Sequence, residues 1–219
     1  RGLGTLRPAP DVNVPGAFPC PIPVTIDADT ADACPLFCGR LIRGVTNGPS
    51  PQWLQDRLRA IGLRPISALV DITNFFTHDR NRPLHVFDAA RVRGGLRVHR
   101  AAGGEKFAAL DDKIYVLQSG MTAISDASGI ESLAGVMGGL ASGVTADTTD
   151  VFLEAAYFDP IRTAATGRAL KITSDARYRF ERGIDPEWTR PGIEAATRMI
   201  LELCGGTPSE VVTAGAVPD

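Results

Sequence analysis

The sequence predicts an α+β fold in which mid-chain β-sheets are flanked by helices. Two observations carry that prediction. Between Leu96 and Leu153 the apolar residues come in short runs broken by Gly-Gly and Asp-Asp turns, the punctuation of brief strands. On either side, Pro51–Gly62, Ile66–Thr77 and the stretch from Asp185 to Gly205 carry apolar residues at helical spacing. Strands clustered mid-chain with helices at both ends depart from a regular βαβ series. The 219 residues suit one or two domains and suffice for a sizeable core.

Residues 1–21 carry Pro8, Pro10, Pro15, Pro19 and Pro21 with little periodicity and read as a linker. With no initiating Met, the chain reads as a piece excised from something longer. One domain is expected over 22–213, and the start of a second linker over 214–219. Ile22–Ile26 reads as an edge strand, because Pro23 has no N–H to give a ladder. Leu36–Val45 alternates as a second strand. Ser50-Pro51 opens a helix with a capping hydroxyl and a proline at its first position. Its expected buried stripe is Trp53, Leu54, Leu58 and Ile61, and Gly62 ends it. Ile66–Thr77 reads as a largely buried helix whose polar members Asp71, Thr73 and Asn74 are expected to cap it or to bond in the interior. Pro83–Asp88 is a short extended piece. Brief strands follow at Leu96–His99, Lys113–Leu117 and Met121–Ile124. Gly135–Gly139 is a glycine-studded turn, Ser142–Asp150 a polar loop, and Val151–Leu153 an apolar strand with Glu154 at its end. Asp159-Pro160 opens a helix toward Leu170, and a short helix follows Ser174-Asp175. A last long helix starts at Asp185-Pro186, where Pro191 is a potential interruption.

Composition narrows the class. A hydrophobic content of 44% with 22% charged residues describes an ordinary globular chain with no membrane-spanning apolar run. A formal charge of −2 gives no global pull toward nucleic acid, so any RNA contact must be local. Cys34 and Cys38 lack a matching pair for a metal site, and a disulfide framework is out of character for a core-rich chain of this length. Cys38 and Cys204 fall where buried thiols are ordinary. The expected compartment is the reducing cytoplasm.

Familiar catalytic signatures are missing, among them the Walker loop, the dinucleotide fingerprint and the Gly-x-Ser-x-Gly elbow. Four places remain. His85 lies between Pro83-Leu84 and Val86-Phe87, where a histidine is more often a satisfied core residue than a functional one. Glu154 is costly in an apolar strand unless exposed or paired, and reads either as the rim of a surface hairpin or as a ligand-facing carboxylate. Arg64 suits a carboxylate or phosphate, although simple exposure is the commoner outcome. Arg177–Gly183 interleaves arginines with Tyr178 and Phe180. It reads as a nucleic-acid patch or, more commonly, as a helix in which Glu181 pairs with Arg177. Taken singly, none of these decides a function.

In succession the motifs carry more. Val70-Asp71-Ile72-Thr73-Asn74, Pro83-Leu84-His85-Val86-Phe87-Asp88, Leu133-Ala134-Gly135-Val136-Met137-Gly138-Gly139, Phe152–Phe158 and Arg179–Pro186 together resemble the central B3/B4 region of bacterial phenylalanyl-tRNA synthetase β subunits. The match covers about residues 30–206. The resemblance implies a B3/B4-type tRNA synthetase editing domain, which hydrolyses tyrosine wrongly esterified to the phenylalanine tRNA. It implies a larger class II ligase around that domain, with an α subunit in an α2β2 assembly and no membrane. No cofactor is implied in this segment; ATP and magnesium would bind elsewhere in the whole synthetase. By the family's motifs, the editing-site histidine falls on His85, the tyrosine-reading glutamate on Glu154, and the arginine before the Val-Asp-Ile-Thr-Asn helix on Arg64. The turn glycines fall on Gly135 and Gly138, and the Thr-x-Ala pair on Ser174 and Ala176, with no metal ligand. Ser174 departs from the usual threonine, Asn81-Arg82 from Gly-Gln, Asp112 from a glycine and Arg177 from a serine. Arg82 is thereby expected to add positive charge beside His85.

The implied chemistry suits these residue types. A hydrophobic pocket rejects an added hydroxyl by only about 10²-fold, whereas a site that hydrogen-bonds it discriminates by roughly 10⁴–10⁵. Glu154 suits the acceptor, and Ala155, Ala156 and Ala176 leave room for a ring. An aminoacyl ester is already activated, so hydrolysis needs little beyond a held water and a stabilised oxyanion. Backbone N–H groups around Gly135 and Gly138 are the expected donors. Arg64 and His85 are expected to hold the ester end or the terminal adenosine, with His85 orienting water or ribose hydroxyls. The alternative is a non-catalytic RNA-binding or scaffolding module of the same synthetase; the intact set His85, Glu154, Ser174 and Ala176 favours the hydrolase.

Overall fold

Leu36–Arg43 and Asp150–Tyr157 pair antiparallel along their whole lengths, and this ladder is the spine of the fold. The computed structural model describes residues 4–5 and 12–218. In chain order come β1 (Val24–Ile26), β2 (Leu36–Arg43), α1 (Gln52–Ala60), α2 (Ala68–Asp79) and β3 (His85–Asp88). Then follow β4 (Leu96–Arg100), β5 (Lys106–Ala108), β6 (Ile114–Val116), β7 (Thr122–Ser125), β8 (Ile130–Leu133) and β9 (Met137–Gly138). The chain closes with β10 (Asp150–Tyr157), α3 (Pro160–Ala169), α4 (Asp175–Phe180), α5 (Thr189–Cys204), β11 (Thr207–Pro208) and β12 (Val212–Gly215).

The central sheet runs β11-β2-β10-β3, with β12 also on β2; a second runs β1-β4-β7-β8-β9, and β5-β6 form a separate ribbon. The predicted α+β class therefore holds. The central sheet is covered on both faces, which explains why β2 and β10 read as apolar runs rather than strict alternations. Val151, Leu153 and Ala155 pack with α1, α2 and α5. Phe152 and Ala156, on the opposite face, pack with Val98 and Ile124 of the second sheet.

Several sequence expectations shift. Glu154 is not at a strand end or on a surface hairpin; it lies within β10, 6% exposed, with β2 on one side and β3 on the other. Trp53 and Ile61 do not join the buried stripe of α1, which consists of Leu54 and Leu58 alone. The last helix begins at Thr189 rather than Asp185, so Pro191 falls in its first turn, where a missing N–H costs nothing, and does not interrupt it. Of its two expected roles Asp71 takes the interior one, accepting from the Ile66 N–H at 2.8 Å and from the Ser50 hydroxyl, while α2 has no side-chain cap.

The expected linkers are partly built into the domain. Pro8 and Pro10 lie outside the described residues. From Val12 on, the segment is docked: the Ala17 N–H donates to Pro208 O, the Glu210 N–H to Phe18 O, and Arg43 covers the Phe18 ring. At the other end β12 runs through Ala214 and Gly215 on the edge of β2, past the expected boundary. Among the described residues no helix is long and apolar enough to cross a membrane.

Candidate functional site

Where the central sheet ends at β3, the two sheets and two helices enclose a cavity of about 420 Å³. β3 and β10 supply His85 and Glu154, α2 supplies Thr73, Asn74 and Thr77, and the turn leading into β9 supplies Gly135 to Gly138. Ser174 and Ala176 close it from the start of α4. Of the residues expected at a site, this brings together His85, Glu154, Gly135, Gly138, Ser174 and Ala176. It leaves out Arg64, which is exposed in the loop before α2 and does not line the cavity. No Lys or Arg lines it among the described residues.

His85 and Glu154 are register partners on adjacent antiparallel strands, so their side chains leave the sheet on the same face. Each holds a buried polar atom with no hydrogen-bond partner among the described residues: Nε2 of His85 and Oε2 of Glu154. Burial raises the Glu154 carboxyl to about 8 and lowers the His85 imidazole to about 4. Near neutral pH both groups are therefore mostly uncharged, a carboxylic acid beside a neutral imidazole. Both retain hydrogen-bonding capacity toward whatever fills the cavity.

The glycines are present for steric reasons. A Cβ at Gly138 would stand 2.3 Å from Cε1 of His85, so the imidazole rests directly on the backbone. Phe87 also packs against the ring, edge-on at 4.4 Å between centroids. Gly135 has φ +69, a conformation glycine adopts without cost, and a side chain there would also crowd Phe158 and Phe180. Its N–H makes no hydrogen bond among the described residues.

Ser174 is spent on structure. Its hydroxyl donates to Val136 O at 2.6 Å and accepts from the Arg177 N–H at 3.1 Å, tying the start of α4 to the glycine turn. The threonine methyl it lacks is not needed for either bond. Arg82 does not charge the cavity as expected. Its side chain is buried behind β10, donating to the carbonyls of Ala156 and Asp185 and to the Thr189 hydroxyl. Arg177 pairs with Glu181 at 2.9 Å, the helical reading of that motif.

The sequence reading missed Asn74 and Thr77 as cavity residues. The signal was available: Thr73, Asn74 and Thr77 sit at helical spacing on one side of an otherwise apolar helix. It missed Phe158 and Phe180 as well, an aromatic pair at 5.1 Å that no local pattern joins.

A family model described as "B3/4 domain" matches residues 33–205. The chain belongs to the B3/4 domain family. Relatives agree along the whole chain. It is 68% identical over 219 residues to the phenylalanine–tRNA ligase beta subunit of Ruegeria pomeroyi and 67% identical over 220 to that of Cereibacter sphaeroides. In each case all of the chain is covered. The chain spans 27% of the length of these two relatives. Among solved structures, an N-terminal fragment of the phenylalanyl-tRNA synthetase beta-subunit from Pyrococcus horikoshii shares the fold with a TM-score of 0.50. That likeness has 15% identity and covers 73% of this chain and 51% of the other. The B3/4 match runs from β2 to α5 and so includes every element that walls the cavity.

Proposed function

We propose that this B3/4 domain is an ester hydrolase that removes tyrosine wrongly attached to the phenylalanine tRNA, within a class II phenylalanine–tRNA ligase that also contains an α subunit in an α2β2 assembly. One observation carries the reading. Glu154 and His85 hold unpartnered buried polar atoms side by side on a cavity wall that is otherwise mostly apolar. Such atoms cost stability and are tolerated where a ligand satisfies them.

Glu154 reads the phenol. A buried carboxyl can accept from the hydroxyl of tyrosine, whereas phenylalanine would leave it unsatisfied. His85, resting on Gly138, is too weak a base near 4 to take a proton efficiently from water at neutral pH. It orients the water or a ribose hydroxyl through its free Nε2. The free N–H of Gly135 faces the developing oxyanion, and Ser174 holds the glycine turn and α4 together. With no cation lining the cavity, the tRNA phosphates are held outside it; Arg64, exposed before α2, has that role. ATP and magnesium bind elsewhere in the full ligase and take no part in this step.

The test presents tyrosyl- and phenylalanyl-tRNA to the full heterodimer, wild type against Glu154→Ala. Tyrosyl-ester hydrolysis falls by roughly ten- to hundred-fold, the cost of one buried hydrogen bond, while phenylalanyl-ester hydrolysis stays low. Equal hydrolysis of both esters by both proteins overturns the tyrosine-reading role.

A further inference from the structure

Isolated exposed apolar side chains are ordinary on a protein surface, but a contiguous set around a concave floor marks a contact. The outer side of α1 presents such a set. Trp53 is 46% exposed and Ile61, just past the helix, 51%. Trp53 packs edge-on against Phe75 of α2 at 5.9 Å, and Phe75 divides two grooves. One, of about 260 Å³, lies over Phe75, Met199 and Leu203 between α2 and α5. The other, of about 340 Å³, lies over Leu58, Ile61 and Phe75 between α1 and α2. The inner faces of these helices are already packed on the central sheet, so folding of the domain covers neither groove.

The charges around this face narrow its occupant. Arg57 lies 5.8 Å and 5.9 Å from the Trp53 and Phe75 ring centroids, and Arg198 lines the groove by α5. Neither forms an ion pair among the described residues, so both are available to carboxylates. An RNA backbone needs an uninterrupted cationic track; here Arg80, which also lines the groove by α5, is taken up by Asp79 at 2.9 Å, and Glu202 carries the opposite sign. The position of the face matters as much. Val12 itself lines the groove by α5, and Val14 is pinned by Arg40 and Glu194, so the chain enters the domain beside this surface. The chain also spans 27% of the length of its relatives, which carry far more polypeptide than this domain. A covalently attached neighbour is presented at an effective concentration on the order of mM, so a modest surface can hold it.

We infer that the Trp53–Phe75 face is an interdomain docking surface, receiving an apolar, acid-flanked segment from another domain of the same polypeptide. The inference is independent of the hydrolase reading, since the face lies outside the cavity.

The test places a photo-crosslinking benzoylphenylalanine at Trp53 in the full-length protein. Ile161, 77% exposed on α3, serves as the control position. Position 53 joins to one peptide of the same polypeptide, outside residues 4–218, that is apolar and carries Asp or Glu. The control gives about tenfold less of that product, because it lacks the preset proximity. Arg57→Glu lowers the yield at position 53 by about fivefold, the size of a rim charge, with the unfolding midpoint of the domain unchanged. Crosslinks to a second copy, to tRNA or to a separate protein, or no polypeptide adduct at all, overturn the inference.

Discussion

Two buried polar clusters sit one register step apart on the same ladder, and they are opposites. On β2, opposite Leu153, Arg40 is 2% exposed and fully engaged. It donates to Glu194 at 2.8 Å, to Ser209 O at 2.7 Å and to Val14 O, while Glu194 also accepts from the Val14 N–H. That cluster ties the entering segment, α5 and the exit toward β12 to one strand. Glu154 on β10 is nearly as deeply set and its register partner His85 on β3 is half-buried, yet each carries a buried atom that no described residue satisfies. Burial of polar groups alone does not mark a site, because the Arg40 cluster is buried for architecture. Burial left unsatisfied, on a cavity wall, is what separates the second cluster from the first.

The contrast is sharpest in stability. Arg40→Ala removes the nearer cation of the Glu194 carboxylate, which keeps Arg190 at 3.5 Å and the Val14 N–H, and is expected to cost about 3 kcal/mol, read by denaturant titration. A loss under about 1 kcal/mol would make the pair a surface-like one. Glu154→Gln runs the other way. The folded-state value near 8 lies above the ordinary 4.5, so between them the native protein keeps a proton that the unfolded chain has lost. This carboxyl therefore leaves stability intact at low pH and erodes it as pH rises from 4.5 toward 8. The glutamine variant is expected to match wild type near pH 4 and to exceed it by a few kcal/mol near pH 9. His85 has the opposite slope, its contribution being complete above about 6.5 and lost as pH falls toward about 4, and it cancels between the two proteins.

Gly138→Ala bears on the second cluster only. The new methyl displaces the imidazole, and tyrosyl-ester hydrolysis is expected to drop about 100-fold, the usual cost of a misplaced group. Unchanged hydrolysis would remove His85 from the chemistry. The smallest effect is at the seam. Ser174→Ala loses a helix cap and the bond to Val136, costing about 1 kcal/mol, while Ser174→Thr is expected to be neutral within about 0.5 kcal/mol.

Legibility from sequence followed the range of the interaction. The bond from the Ile66 N–H to Asp71, the edge strand that follows Pro23 and the Arg177–Glu181 pair all depend on residues a few positions apart. Pro191 was misjudged because its cost depends on where the helix starts. Trp53 and Ile61 were misassigned for a different reason. Helical spacing predicts which residues share a side of α1, but how wide a stripe is covered depends on what packs there, and α2 covers only Leu54 and Leu58.

By itself the sequence determined the fold class, most of the helices and strands and, through motifs in order, the family. Those properties are written in local periodicity and in residue succession. The tertiary structure decided what Glu154 is. Its strand could have been a rim hairpin; pairing with β2 and β3 made it interior, and the second sheet made its face the wall of a cavity. The same folding turned Arg82 away behind β10 and left Arg64 outside. A side chain's solvation and partners come from residues far away in the chain, so no local pattern could assign them.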